Sequence, residues 1–188
     1  MIKQIKTSFL IFIIFSVITG LIYPLSITAV AQIAFPYQAK GSVIKLNGKV
    51  IGSELIGQNF SKPEYFHGRP SAVNYDGRTS GGSNFGPVNK KLIDLVDGRI
   101  KQIEEENKIS SQEKIPADLV LASASGLDPH ISPASAMIQV KRVAGARGLS
   151  EKAVNDLIKR NTDNQFLGQQ VINVLKLNID LDKISSGK

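Results

Sequence analysis

Residues Ser8 to Ile22 read SFLIFIIFSVITGLI, and apolar character continues through Tyr23-Pro24-Leu25 as far as Ala34. From Thr7 to Ala39 there are 33 residues without a single charge. Ser8 to Ala31 alone is 24 residues. At about 1.5 Å rise per residue, a helix of that length crosses a hydrocarbon core about 30 Å thick. In lipid an open chain can satisfy its own backbone only as a helix. Pro24 predicts a kink near the far end, because it lacks an N–H and crowds the preceding turn. A secretory signal is the rival reading: Lys3 and Lys6 make a basic start, and Ala29-Val30-Ala31 has the A-x-A form of a cleavage site. A signal core is about 7–15 apolar residues, however, and this run is longer. The expectation is a retained anchor over residues 1–35.

Charge gives a near draw on orientation, with Lys3 and Lys6 before the span and Lys40, Lys45 and Lys49 soon after it. Long downstream domains cross largely regardless of charge, and a short basic start stays inside. The expectation is therefore a cytoplasmic amino terminus and an extracytoplasmic domain over residues 40–188. That segment holds all 16 acids and 21 of the 23 basic residues, a net charge of +5. The chain has 188 residues, enough for one ordinary domain beside the anchor. Cysteine is absent, which excludes disulfides, thiolate metal sites and cysteine nucleophiles. His67 and His130 are the only histidines, so no histidine-rich metal centre exists, and no metal ligand set is assigned.

In the soluble part, Val43-Ile44-Lys45-Leu46 and Lys49-Val50-Ile51 flank Asn47-Gly48, the strongest short-range hairpin signal. Residues 52–87 hold seven of the 16 glycines and read as loop, with Tyr65, Phe66, Tyr75 and Phe85 available to pack. A loop this long in a small domain is usually functional or an interface. Val88 to Glu106 is helical by period, with Val88, Leu92, Val96, Ile100 and Ile103 in one stripe widened by Ile93 and Leu95. Ser132-Pro133 starts another helix, with Ala136, Met137, Val140, Val143 and Ala144 facing inward and Gly148 at its end. Ser150 caps a third, with Ala153, Val154, Leu157 and Ile158 inward. Val171 to Leu177 is β-branched and apolar and reads as a strand, and Ser185 to Lys188 as a frayed end. The fold class is thus a single amino-terminal transmembrane helix followed by one α+β domain.

Ser80-Gly81-Gly82-Ser83-Asn84-Phe85-Gly86 is the most distinctive local composition. Glycine-rich loops ahead of a helix can cradle phosphate, but the P-loop pattern needs Gly-Lys-Ser/Thr, and Gly86 is followed by Pro87. An ordered turn is the better reading. Asp128 and His130 lie in a Pro-rich turn, and no G-x-S-x-G elbow supplies a nucleophile for them, so no catalytic residue is assigned. Arg69 and Asp76 suggest a pairing within the long loop. Residues 132–160 carry six basic residues against two acids and resemble a helix-turn-helix, which makes a membrane-tethered nucleic-acid binder the alternative function.

Beyond these local features, an ordered series of short motifs runs along the chain. It begins with the span and Leu55-Ile56-Gly57-Gln58, and continues with Tyr65-Phe66, Arg69-Pro70-Ser71-Ala72, Tyr75-Asp76 and Ser80-Gly81-Gly82-Ser83-Asn84. It then passes through Pro116 to Val120, Ser125 to Pro133, Gln139-Val140, Arg142-Val143-Ala144 and Ala146 to Leu149, and ends in Asn173-Val174-Leu175 and Leu177-Asn178. In this order the chain resembles the KdpC family, the C subunit of the bacterial potassium-transporting P-type ATPase. Phe85, Val88, Ala124 and Asn161 depart from the family's pattern.

The resemblance implies a non-catalytic, single-pass subunit of the plasma (inner) membrane. Its implied partners are a channel-like potassium-translocating subunit, a P-type ATP-hydrolysing subunit, a small single-span subunit and the lipid bilayer, with no nucleic acid. It implies assembly of that complex and a raised ATP affinity of the catalytic subunit. No cofactor is bound covalently, and ATP belongs to the complex through the partner. Ser80, Gly81, Gly82, Ser83 and Asn84 are the candidate nucleotide or partner contact. Arg69, Tyr75, Asp76, Asp128 and His130 are the candidate interface. An extracytoplasmic Ser80 cannot touch cytoplasmic ATP, so any effect on nucleotide affinity is transmitted through partners as a coupling free energy.

Overall fold

The computed structural model describes residues 1–163 and 168–186. The chain divides into two compact units, Met1–Ile51 and Gly52–Lys188. In the first, α1 (Ile2–Val17) runs into a π-helical turn (Ile18–Ile22) and on into α2 (Tyr23–Ala34). Together they make one 33-residue helix, Ile2–Ala34, whose apolar stretch is not buried within the protein. Where Pro24 led to the expectation of a kink, the helix carries a widened turn and continues. Pro24 has no N–H for the carbonyl one turn back, and the Tyr23 N–H reaches past it to the Ile18 carbonyl. Thr7, Thr19 and Thr28 donate their hydroxyls to the carbonyls four residues earlier, so these side chains bring no unsatisfied donor into lipid.

A short helix α3 (Pro36–Ala39) follows, then the hairpin of β1 (Val43–Leu46) and β2 (Lys49–Ser53). Asn47 and Gly48 take φ of +50° and +77°, as the two-residue turn requires. In the second unit no helix or strand intervenes between Ser53 and α4 (Lys90–Asn107). The Asn89 side chain caps α4 by accepting from the Lys91 N–H at 2.9 Å. A single-turn α5 (Ala117–Val120) precedes β3 (His130–Ile131), α6 (Pro133–Arg147) and α7 (Glu151–Arg160). Then come β4 (Thr162–Asp163), β5 (Val171–Asn173) and α8 (Val174–Ser186). The small sheet is antiparallel in the order β3-β5-β4, with Ile131 opposite Ile172 and Thr162 opposite Ile172.

Ser132 caps α6 through the Ser135 N–H at 3.1 Å, and Gly148 ends it at φ +62°. Ser150 caps α7 through the Ala153 N–H. The core joins α6, α7, α8 and the sheet through Ile131, Ala136, Val140, Val143, Val154, Leu157, Ile158, Ile172, Leu177 and Leu181. Met137 is not part of it. It is 50% exposed, and the polar Ser135 and Gln139 occupy the inward face instead. The expected strand over Val171 to Leu177 is also corrected. Only Val171–Asn173 is strand, because the Asn173 side chain accepts from the Lys176 N–H at 3.1 Å and starts α8 there. Val174, Leu177, Asn178 and Leu181 then recur at helical spacing and are buried. Ile93 and Leu95 of α4 are exposed, so its stripe is narrower than its period suggests. Of the expected frayed end, Ser185 lies in α8 and bonds the Leu181 carbonyl, while Gly187 and Lys188 lie outside the described residues.

The long loop is fastened from both sides. Phe66 is fully buried in the core. The Asn178 carboxamide accepts from the Phe66 N–H at 2.8 Å and donates to its carbonyl at 3.0 Å. Gln139 does the same for His67, at 2.7 Å and 3.1 Å. Arg142 donates to the Pro63 and Tyr65 carbonyls, and Arg147 to that of Glu64 at 2.7 Å. Phe66→Ala removes a fully buried ring and is expected to destabilise the domain by about 3–5 kcal/mol. Met137→Ala is expected to cost well under half of that. Denaturant unfolding of the detergent-solubilised chain measures both.

Candidate functional site

Beyond Phe66 the loop lies against the segment Ser123 to His130, and the two are zipped by short-range polar contacts. Ser71 is the hub. Its hydroxyl donates to the Gly126 carbonyl at 2.7 Å and accepts from the Val73 and Tyr75 N–H groups. Gly126 has φ +67°, and a Cβ there would stand 2.7 Å from the Gly81 carbonyl oxygen and 2.6 Å from Val73. A side chain at Gly57 would stand 2.5 Å from the Asp128 carbonyl oxygen, and the Gly57 N–H bonds the Leu127 carbonyl. Both glycines are therefore demanded by close backbone approach.

The centre of this region is a carboxylate. Asp128 accepts from Arg69 Nη1 at 2.9 Å and from the His130 N–H at 3.0 Å, with the His130 ring 3.6 Å away. Burial alone would push the Asp128 carboxyl up. The His130 and Arg69 hydrogen bonds outweigh it and hold the group at about 2. Tyr75 donates its hydroxyl to the Arg69 carbonyl, and burial pushes that phenol up against the opposing charge of Arg99. Arg69, Tyr75, Asp128 and His130 thus form one cluster. A hollow of about 310 Å³ adjoins it, lined by Arg69, Asp118, Asp128, His130 and Gln170.

Asp76 is not in the cluster, and the Arg69–Asp76 pairing does not form. Arg78 lies two residues along the same tight turn and takes the Asp76 carboxylate by Nε at 3.1 Å and Nη2 at 3.0 Å. Arg69 is left to Asp128 across the fold. Ser80 and Gly81 sit one layer further out, and both donate to the Ser125 carbonyl, at 3.1 Å and 2.9 Å. Gly82 packs on Ala124, while Asn84 is exposed at φ +53°. Helix α4 begins only at Lys90, so these residues do not open onto a helix amino terminus. The glycine-serine segment takes no helix, strand or turn over residues 80–86, in place of the expected turn, and is tied to protein backbone at Ser80 and Gly81.

Asp118 has a structural task that sequence reasoning missed. It accepts from the Ser132 N–H at 2.7 Å and the Ser135 hydroxyl at 2.6 Å, which fixes the start of α6. Gln139, Arg142, Arg147 and Asn178 were visible as motif residues without a role. The signal that could have found the two amides is a polar residue on the inward stripe of a helix. Among the described residues no three His, Asp or Glu side chains converge as a metal site.

The family model "KdpC: K+-transporting ATPase, c chain" matches residues 5–183. The chain belongs to the KdpC family. A "Potassium-transporting ATPase KdpC subunit" of Herpetosiphon aurantiacus is 52% identical over 93% of this chain and 93% of its own length. Subunits of the same name from Caldanaerobacter subterraneus and Photorhabdus laumondii are each 47% identical, covering 95% and 98% of this chain and 94% and 98% of theirs. Membership of the KdpC family does not support the nucleic-acid alternative, and the geometry explains the misleading charge. Arg142 and Arg147 face the loop that they fasten, so two of the six basic residues counted there are engaged internally.

Asp128 titrates lower in the folded chain than its unfolded value of about 3.9. Its contribution is full above pH about 4 and is lost as pH falls toward 2. Asp128→Asn is therefore expected to lower the melting temperature at neutral pH and to flatten its fall between pH about 4 and 2. Thermal unfolding of both chains across that range measures the difference.

Proposed function

We propose that this chain is the non-catalytic C subunit of a potassium-transporting ATPase, where it holds the complex together. The single observation that carries this reading is the family match, which runs from within the apolar helix almost to the end of the chain. An accessory role agrees with a site built of structural ion pairs and backbone-satisfied turns. The partners in this reading are the potassium-translocating subunit, the ATP-hydrolysing subunit and the small single-span subunit. Within the plasma membrane, the amino terminus lies in the cytoplasm and the α+β domain outside.

The cluster of Arg69, Tyr75, Asp128 and His130 then shapes a surface for a partner subunit, with Asp76 at its exposed edge. Ser80 to Asn84 serve the same surface in this reading. What favours partner contact over direct nucleotide binding there is that the Ser80 hydroxyl and the Gly81 N–H already bond Ser125. Any effect on ATP affinity passes through the catalytic subunit.

Deletion of the chain is expected to abolish growth on low potassium and co-purification of the potassium-translocating and ATP-hydrolysing subunits. Photolabelling of the intact complex with an ATP analogue is expected to mark the ATP-hydrolysing subunit and leave this chain unmarked. A complex that assembles and transports normally without the chain would end the reading.

A further inference from the structure

The first 53 residues contain five lysines and no acid. Three of the lysines, Lys40, Lys45 and Lys49, follow the apolar helix within 15 residues of Ala34. All three are exposed, as are Leu46 (45%) and Val50 (64%) between and beside them. Among the described residues none of the three ammonium groups takes part in an ion pair. The first acid in the chain, Glu54, is already held by Lys176 at 2.8 Å. The hairpin tip therefore presents cations and apolar side chains with no counter-charge of its own.

Its place relative to a bilayer follows from length. Thr7 to Ala34 is uncharged helix of 28 residues, about 42 Å long. That equals the roughly 40–45 Å of a bilayer with its headgroup layers. Tyr37 comes next, a side-chain type that settles at headgroup level. Tyr37 also bonds the Ser42 carbonyl at 3.1 Å, and Ser42 is buried, so the chain turns immediately after the helix. Lys40, Lys45 and Lys49 thus emerge at the headgroup surface.

We propose that the β1–β2 hairpin is a docking surface for anionic phospholipid headgroups in the leaflet at the carboxyl end of the span. The lysines pair with phosphates while Leu46 and Val50 enter the interface. Each lysine near an anionic surface multiplies the docked-to-undocked ratio roughly fivefold. The three together give on the order of 100-fold.

Because the chain lacks cysteine, Val50→Cys carries a single spin label. The full chain is reconstituted in phosphatidylcholine vesicles with and without phosphatidylglycerol. Collision of the label with a water-soluble nickel complex is expected to fall at least about twofold in the anionic vesicles. The fall should disappear in molar salt and in the K40Q/K45Q/K49Q background. Equal accessibility in both vesicles, with the chain retained after alkaline carbonate, overturns the surface alone. Release of the chain by carbonate overturns the anchor and the surface together. A fall that appears only when partner subunits are present assigns the hairpin to protein and overturns the lipid.

Discussion

The soluble domain depends on two buried carboxamides gripping a piece of the long loop. Between Ser53 and Lys90 the backbone has no helix or strand to satisfy it. A buried N–H or carbonyl without a partner costs about 1–3 kcal/mol. Phe66 is fully buried, so its own backbone goes in with it. Asn178 and Gln139 each offer one acceptor and one donor in the spacing of a peptide group, and so substitute for a neighbouring strand. Apolar residues of the same volume would fill the core and leave four backbone groups unpaired. The specificity of the loop's path therefore comes from polarity in the core, with Phe66 supplying most of the driving force.

Two arginines of α6 spend their charge on fastening the loop. Arg147 contacts the Glu64 carbonyl, lies 2.7 Å from Asp182 and stacks 4.7 Å over the Tyr65 ring. Arg142 contacts two loop carbonyls and the Gln139 side chain that holds His67. Planar guanidinium forks suit this work because one group can serve several carbonyl oxygens. Burial and Arg142 both push the His67 ring down, against the opposing pull of the Lys62 carbonyl and Glu106, so the junction favours a neutral imidazole. A count of charges by sequence sees basic helices. The fold shows which of those charges still face solvent.

What was legible in the sequence was whatever rests on local physics. Asn47-Gly48 fixed the hairpin through positive φ, Ser132-Pro133 and Gly148 bounded α6, and uninterrupted apolar length marked the span. The errors have two causes. Val171 to Leu177 has strand composition, yet the Asn173 side chain starts a helix inside it. Met137 has core chemistry, yet the inward position goes to Gln139 because a loop 72 residues earlier needs an amide there. Arg69 has an acid nearby in sequence, yet takes Asp128 from across the fold. At Met137 and Arg69 a tertiary partner outranked the local preference, whereas at Asn173 a local helix cap outranked strand composition. The candidate residues Arg69, Tyr75, Asp128 and His130 were found as motif members, and Asp128 and His130 meet within one turn, but the Arg69–Asp128 link that joins the cluster is long-range and has no local trace.

The span constrains how such a subunit can choose its neighbours. From Thr7 onward the helix has no charge, and its three threonine hydroxyls are turned back on its own carbonyls. Interhelical attraction within lipid then rests on side-chain packing together with the polar Ser8, Ser16, Ser26 and Gln32, since lipid tails compete equally well for apolar surface. Packing of that kind is permissive. In the proposed reading, selection of the right partners is carried by the extramembrane part, where the Arg69–Asp128 cluster and the fastened loop present fixed polar geometry. Rigidity is useful there for a second reason. A subunit that influences a distant nucleotide site can do so only by favouring one state of its partner over another. A loop free to follow both states would bind each equally and shift nothing, whereas in the proposed reading one held at Phe66, His67 and Asp128 discriminates between them.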